Sequence, residues 1–309
     1  MNFKKSTLLF CVILTLLSCK NGKVNELNLS EGYLIEFEEF DSISSHEKIK
    51  IIDFRKPELY KKGHIINAVN VWRTDIENKT YPYEGMMAEK SDIEELFSDL
   101  GIENDDTIVV YDDNGLCDSS RLWWILQVYG FGKIKMLHGG FSLWKEGHEV
   151  TTEIPQIEKT KFLFEKEPLF DSYITKDEVF TALQQEKVIL DTRTQDEYSG
   201  KRQKRGATKG GRIPKSILFD WTLAIDYHGD KKIKSIDKLK EIYKEILPYK
   251  NDTIVVYCQS GFRSSHTTFV LQELLGFKNI KNYDGAWVEW SYYHKDRPIE
   301  QDSITTIFQ

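Results

Sequence analysis

The sequence predicts an α/β protein built from two similar units, each a mostly parallel central sheet flanked by helices. Three observations carry this. The chain repeats itself: IIDFR (51–55), GHIINAVNV (63–71), TIVVYDDNG (107–115) and LHGGFSLW (137–144) return in the same order as VILDTR (188–193), GGRIPKSI (210–217), TIVVYCQSG (253–261) and YDGAWVEW (283–290). Short, continuous apolar runs suit parallel strands covered on both faces. Amphipathic segments lie between those runs, as strand–helix alternation requires. Asp53 and Asp191 lie 138 residues apart, whereas Thr107 and Thr253, like Trp144 and Trp290, lie 146 apart. The second copy therefore carries an insertion ending near Lys209.

Residues 1–18 pair a positive start, Lys4 and Lys5, with an apolar run from Leu8 to Leu17. This is a secretory signal pattern, and the run is shorter than the ~20 residues of a membrane-spanning helix. Ser18 and Cys19 close a stretch, LLSC, that resembles a bacterial lipoprotein signal, which implies a lipidated Cys19 and a polar tether over 19–30. That resemblance places the protein in a bacterial cell envelope, on the periplasmic or outer-membrane side, with the membrane as partner through its acyl chains.

The first unit is expected over 31–150. Strands are predicted at Ile49–Phe54 and Thr107–Tyr111, and a helix is marked by Ile93, Leu96, Phe97 and Leu100 recurring at three and four. A long helix follows from Ser119 to Tyr129. A linker covers 151–164, and the later part of the joining stretch VTTEIPQIEKTKFLFEKEPLF is expected to pair as a strand at the start of the second unit. That unit, 165–309, repeats the pattern with strands at Val188–Asp191 and Thr253–Tyr257. Its helices are marked by Leu239, Ile242, Tyr243 and Ile246, and then run from Ser264 to Leu275. Sheet order does not follow from the sequence.

Composition narrows the function. Of 309 residues 40% are hydrophobic and 29% charged, an ordinary globular balance. The net charge of −7 argues against nucleic acid as the partner, because backbone binding needs a positive field. The cysteines are Cys11, Cys19, Cys117 and Cys258, too few for a disulfide scaffold and without zinc-ligand spacing, so no metal is expected. Once Cys11 and Cys19 go with the signal and the lipid, two remain for the folded part.

The chemistry concentrates in VVYCQSGFRSSH (255–266). Cys258 follows directly on a strand, and ligands of open α/β sheets gather at the carboxyl ends of strands. A tight loop between a strand end and a helix start turns several backbone N–H groups inward, near the positive end of the helix, and forms a nest for an anion. A sulfur in such a nest is held toward its thiolate, below the ordinary thiol value of about 8.5. Gly261 permits the curl. Arg263 adds a planar donor fork suited to an oxyanion. Ser264 or Ser265 is placed to cap the helix, and Gln259, Ser260 and Phe262 shape the pocket, Phe262 either as an apolar wall or as an exposed loop residue. In the first copy Asp112 aligns with Cys258, Gly115 with Gly261 and Cys117 with Arg263. That half keeps the scaffold without the nucleophile, and Cys117 is expected to pack rather than react.

These motifs, in order and duplicated, resemble the tandem-domain rhodanese family of thiosulfate and 3-mercaptopyruvate sulfurtransferases. The resemblance spans about 35–300. CQSGFR (258–263) matches the family loop of a cysteine, four residues and an arginine. Asp191 with Arg193, and Asp53 with Arg55, match its early strand signature. GHIINA (63–68) and, in degraded form, GRIPKS (211–216) match a Gly-His-Ile-Pro-Gly-Ala stretch; the second copy lacks the second glycine and has Arg212 in place of the histidine. Asp284, Gly285, Trp287 and Trp290 match its terminal stretch, and Tyr111–Asp113 with Arg121–Trp124 match the silent half of such proteins. The resemblance implies two tandem rhodanese-like domains, the first silent and the second catalytic. It implies transfer of a sulfane sulfur from thiosulfate, or from 3-mercaptopyruvate, through a persulfide on Cys258 to cyanide or a thiol, with no cofactor. The partners are then a small anionic sulfur donor and a small nucleophile.

Other residues read less sharply. Asp191 and Arg193 suit a structural ion pair, with a secondary substrate contact by Arg193 as the alternative. His266 belongs to the helix rather than acting as a base. The basic insertion with Lys201, Arg202, Lys204, Arg205, Lys209 and Arg212 is either a solvated loop or a collar drawing anions inward. Trp123, Trp124, Trp287 and Trp290 suit the core or an interface. Two rival classes share the scaffold: a non-catalytic sulfur carrier or binding module of the envelope, and a cysteine-dependent phosphatase, whose loop holds one more residue between cysteine and arginine.

Overall fold

The two TIVVY runs become the central strands of two five-stranded sheets. The computed structural model describes residues 29–302. The signal and Cys19 lie outside the described residues. The first half runs β1 (Leu34–Ile35), α1 (Phe37–Ile43), β2 (Ile49–Asp53), α2 (Pro57–Tyr60), β3 (Val69–Asn70), α3 (Lys90–Asp99), β4 (Thr107–Tyr111), α4 (Cys117–Val128), β5 (Ile134–Leu137) and α5 (Gly140–Trp144). The second repeats it with β6 (Tyr173–Ile174), α6 (Lys176–Gln184), β7 (Val188–Asp191), α7 (Gln195–Tyr198), β8 (Ile217–Leu218), α8 (Ile236–Ile242), β9 (Thr253–Tyr257), α9 (Phe262–Phe269), β10 (Asn279–Tyr283) and α10 (Ala286–Tyr292). Strand order is β1-β5-β4-β2-β3 in one sheet and β6-β10-β9-β7-β8 in the other. Every pairing within them is parallel.

Burial explains the arrangement. All five residues of β4 and four of the five in β9 are buried, as strands covered on both faces must be. The two halves share one apolar core: α4 faces α9, and Trp123 meets Phe269 edge to face at 5.1 Å across the boundary. The joining segment departs from expectation. Its later part forms no strand of the second sheet; Thr160, Phe162 and Phe164 bind Ser98 and Glu94 and pack on Phe97 and Phe131. Two buried phenylalanines anchor it to the first half, and the edge strand starts later, at Tyr173. The helix expected from Ser264 to Leu275 begins at Phe262 and changes at Val270 into a turn of π-helix.

Candidate active site

Cys258 leaves the end of β9 and enters a loop that closes into α9 at Gly261. Gly261 has φ 84°, a left-handed turn that favours glycine. The following backbone then faces the sulfur. The Ser260 and Ser264 amides donate toward Sγ, and the Ser264 hydroxyl lies 3.6 Å from it. Ser264 and Ser265 do not cap the helix; they stand in its first turn and their hydroxyls donate to the Gly261 carbonyl. The loop is braced from outside by α10, where Trp287 N–H donates to the Cys258 carbonyl and Val288 N–H to that of Gln259. Cys258 is 1% exposed, yet its sulfur points into the polar loop rather than the sheet core. Burial pushes its thiol up, but the charge of Arg263 and the bonds from Ser264 and Ser260 outweigh that and hold it below the ordinary thiol range.

The first half holds the same ring around a carboxylate. The Asp112 oxygens accept from the amides of Asn114, Leu116, Asp118 and Ser119. Burial and the neighbouring Asp118 raise its carboxyl to about 6 against the pull of those amides. Four inward amides around an anion are what the duplicated loop is shaped to supply. Cys117 opens α4, is buried, and burial pushes its thiol well up.

Arg263 is placed differently from expectation. The Arg263 fork does not stand free for an oxyanion; both terminal nitrogens bind Glu197, each at 2.8 Å. Burial pushes the Glu197 carboxyl up, but the bonds and charge of Arg263 pull it down to about 2. Glu197 was legible only as the capping-box partner of Thr194; that it meets Arg263 is decided by tertiary contact across 66 residues. Arg193 forms the expected ion pair with Asp191 and also binds the Gly211 carbonyl. Arg55 repeats that clamp on Asp53 and Gly63 in the first half, so both arginines brace matching strand ends. The basic insertion is mostly paired: Lys201 with Asp196, Arg205 with Glu84, Arg212 with Glu300 and Asp302. Lys204 reaches toward Glu197, at 4.0 Å. Burial and the charge of Arg263 lower its ammonium, opposed by Glu197 and Cys258.

The first half covers the loop. A cleft of about 610 Å³ lies between the halves, walled by Trp72, Arg73 and Tyr83 on one side and by Gln259, Ser260 and Phe262 on the other. Phe262 is a wall and not an exposed residue: it is 8% exposed and the Arg73 guanidinium stacks on it at 4.4 Å. Gln259 donates to the Arg205 carbonyl. His266 is buried beside Trp221 without a hydrogen-bond partner, and burial lowers its imidazole to about 3, so it is neutral and inside the helix packing. The part played by the first half is not written in the sequence: Arg121 stands there only as one residue of a motif, and the segment around Gly85 carries no local signal.

Comparison with known proteins agrees with this architecture. The model of the rhodanese-like domain matches the chain twice, over 36–147 and 175–292. A provisionally named thiosulfate sulfurtransferase of Saccharopolyspora erythraea is 35% identical over 240 residues, covering 75% of this chain and 83% of its own. One from Mycolicibacterium smegmatis is 35% identical with coverages of 75% and 84%. Among solved structures, the 3-mercaptopyruvate sulfurtransferase SseA of Escherichia coli superposes with a TM-score of 0.72 at 23% identity, over 83% of this chain and 99% of that one. Tum1 of Saccharomyces cerevisiae gives 0.77 at 20%, over 87% and 98%. With its whole scaffold duplicated, and Asp112 standing where the second of two otherwise matching loops has Cys258, the chain belongs to the rhodanese family as a tandem of two rhodanese-like domains.

Proposed function

We propose that the chain is a sulfurtransferase in which 165–309 is catalytic and 31–150 is silent. The carrying observation is the ring of inward amides that surrounds Cys258 Sγ in one half and the Asp112 carboxylate in the other. The Cys258 thiolate attacks the outer sulfur of thiosulfate; the S–S bond breaks, sulfite leaves with its electron pair, and a cysteine persulfide remains. A cyanide or thiolate acceptor then takes that sulfur and the thiolate returns, a ping-pong cycle. The loop amides stabilise the charge on the persulfide. Arg263 acts on the sulfur through its field, with Glu197 fixing its position. The names of the relatives and the arginine at 263 favour thiosulfate, with 3-mercaptopyruvate as the second donor.

Steady-state turnover with both donors, beside Cys258→Ser, tests the reading. Sulfite release from thiosulfate and a gain of one sulfur in mass on Cys258 are expected, both absent in a folded Cys258→Ser protein. Thiosulfate turnover that survives without that sulfur sinks it. Placement in a bacterial envelope rests on Cys19; labelling of cells with a radioactive fatty acid is expected to mark the protein and to miss Cys19→Ser. Among the described residues no helix is long and apolar enough to cross a membrane.

A further inference from the structure

We propose that Arg121, contributed by the half without a nucleophile, is a positioning residue for the Cys258 loop; its role in turnover rests on the sulfurtransferase reading, its geometry does not. Arg121 lies in α4, 1% exposed, and reaches across the boundary between the halves. Its Nη2 donates to Asp284 Oδ1 at 2.5 Å and to the Gly85 carbonyl at 2.9 Å. Asp284 sits between β10 and α10, whose amides brace the carbonyls of Cys258 and Gln259. Gly85 belongs to the segment that presses on Ser260; a Cβ there would come within 2.7 Å of the Ser260 Cβ. One guanidinium thus ties together the two segments that brace the loop.

The same group backs the loop itself. A Cβ on Gly261 would lie 2.5 Å from Arg121 Nη1 and 2.9 Å from Cζ, so the guanidinium fills the space behind the turn. Nη1 is buried there without an acceptor, a costly arrangement for a charged donor. The matching glycine of the other loop, Gly115 at φ 59°, is backed instead by the apolar Ile225 side chain. A charged, doubly anchored support therefore stands only behind the loop that carries the sulfur. By holding the turn at Gly261 it fixes the directions in which the Ser260 and Ser264 amides meet Sγ. A plain bond between the halves would affect stability; a positioning residue also changes the sulfur's proton affinity.

The test reads that affinity directly, as the pH dependence of Cys258 alkylation by iodoacetamide in the full chain, followed on the Cys258 peptide by mass spectrometry. Arg121→Met is expected to raise the midpoint by about one pH unit and to lower kcat with thiosulfate about 100-fold, the cost of displacing a reacting group by about 1 Å. Arg121→Lys, which keeps the charge without the fork, is expected to restore part of both. Asp284→Asn, which keeps the shape and weakens the anchor, is expected to shift the midpoint the same way by less. A folded Arg121→Met protein with the wild-type alkylation profile overturns the proposal; should that variant not fold, an unchanged profile in Asp284→Asn does so. If the wild-type protein turns over neither donor, the sulfurtransferase reading falls, and the alkylation profiles still decide the role of Arg121.

Discussion

Removing the guanidinium of Arg263 separates what it does for stability from what it does for the thiolate. Arg263 and Glu197 share two bonds of 2.8 Å, and Glu197 is almost fully buried. Arg263→Met strips that carboxylate of its bidentate partner and leaves it only the Thr194 bonds and Lys204 at 4.0 Å, a loss of about 3–5 kcal/mol. At ~2–4 °C per kcal/mol for a domain of this size, Tm falls by on the order of 10 °C. Adding Glu197→Gln removes the stranded charge, and replacing a buried pair by neutral groups is often close to neutral, so most of the lost stability returns. The thiol does not follow. Arg263 is the strongest influence lowering Cys258, so both variants are expected to raise its alkylation midpoint by about one pH unit or more, each unit being about 1.4 kcal/mol. Glu197 sets the acid side. Its folded value near 2 lies below the usual 4.5, so its contribution is complete above about pH 4.5 and is lost as pH falls toward 2. The stability gap between wild type and Arg263→Met should therefore narrow in acid. Differential scanning fluorimetry across pH, with the alkylation profile, measures all of this. A folded double variant with the wild-type thiol profile would refute the claim that the guanidinium holds the thiolate.

Three further outcomes are expected. Cys117→Ser should leave thiosulfate turnover within about twofold, because that thiol is buried and pushed up; a large loss would assign it a role in the chemistry. Ala286, at φ 52°, stands where the first half has Gly140, so Ala286→Gly should stabilise the protein by about 1 kcal/mol in urea unfolding; destabilisation would show that its methyl packs better than its backbone strains. Tyr83→Phe removes the hydroxyl that binds buried Glu289 at 2.8 Å across the halves and should cost about 1–3 kcal/mol, with no change in melting counting against that contact as a lock.

The sequence alone settled the class of fold and the address of the chemistry. Continuous apolar runs suit strands covered on both faces, a repeated order of motifs points to a duplicated scaffold, and a cysteine, a glycine and an arginine at a strand end draw attention to one loop. These are local signals, written within a few residues of one another. Tertiary structure decided what the neighbours do. Arg263 faces Glu197 instead of open space, since only the folded chain brings a helix cap 66 residues away against it. Phe162 and Phe164 join the first half because its helix offers them an apolar face, which no β-rich stretch of sequence announces. Arg121 reaches a loop 140 positions further along the chain because α4 and α9 pack face to face. Contacts between distant segments depend on how whole elements dock, and that docking is set by the summed shape of two cores rather than by any motif.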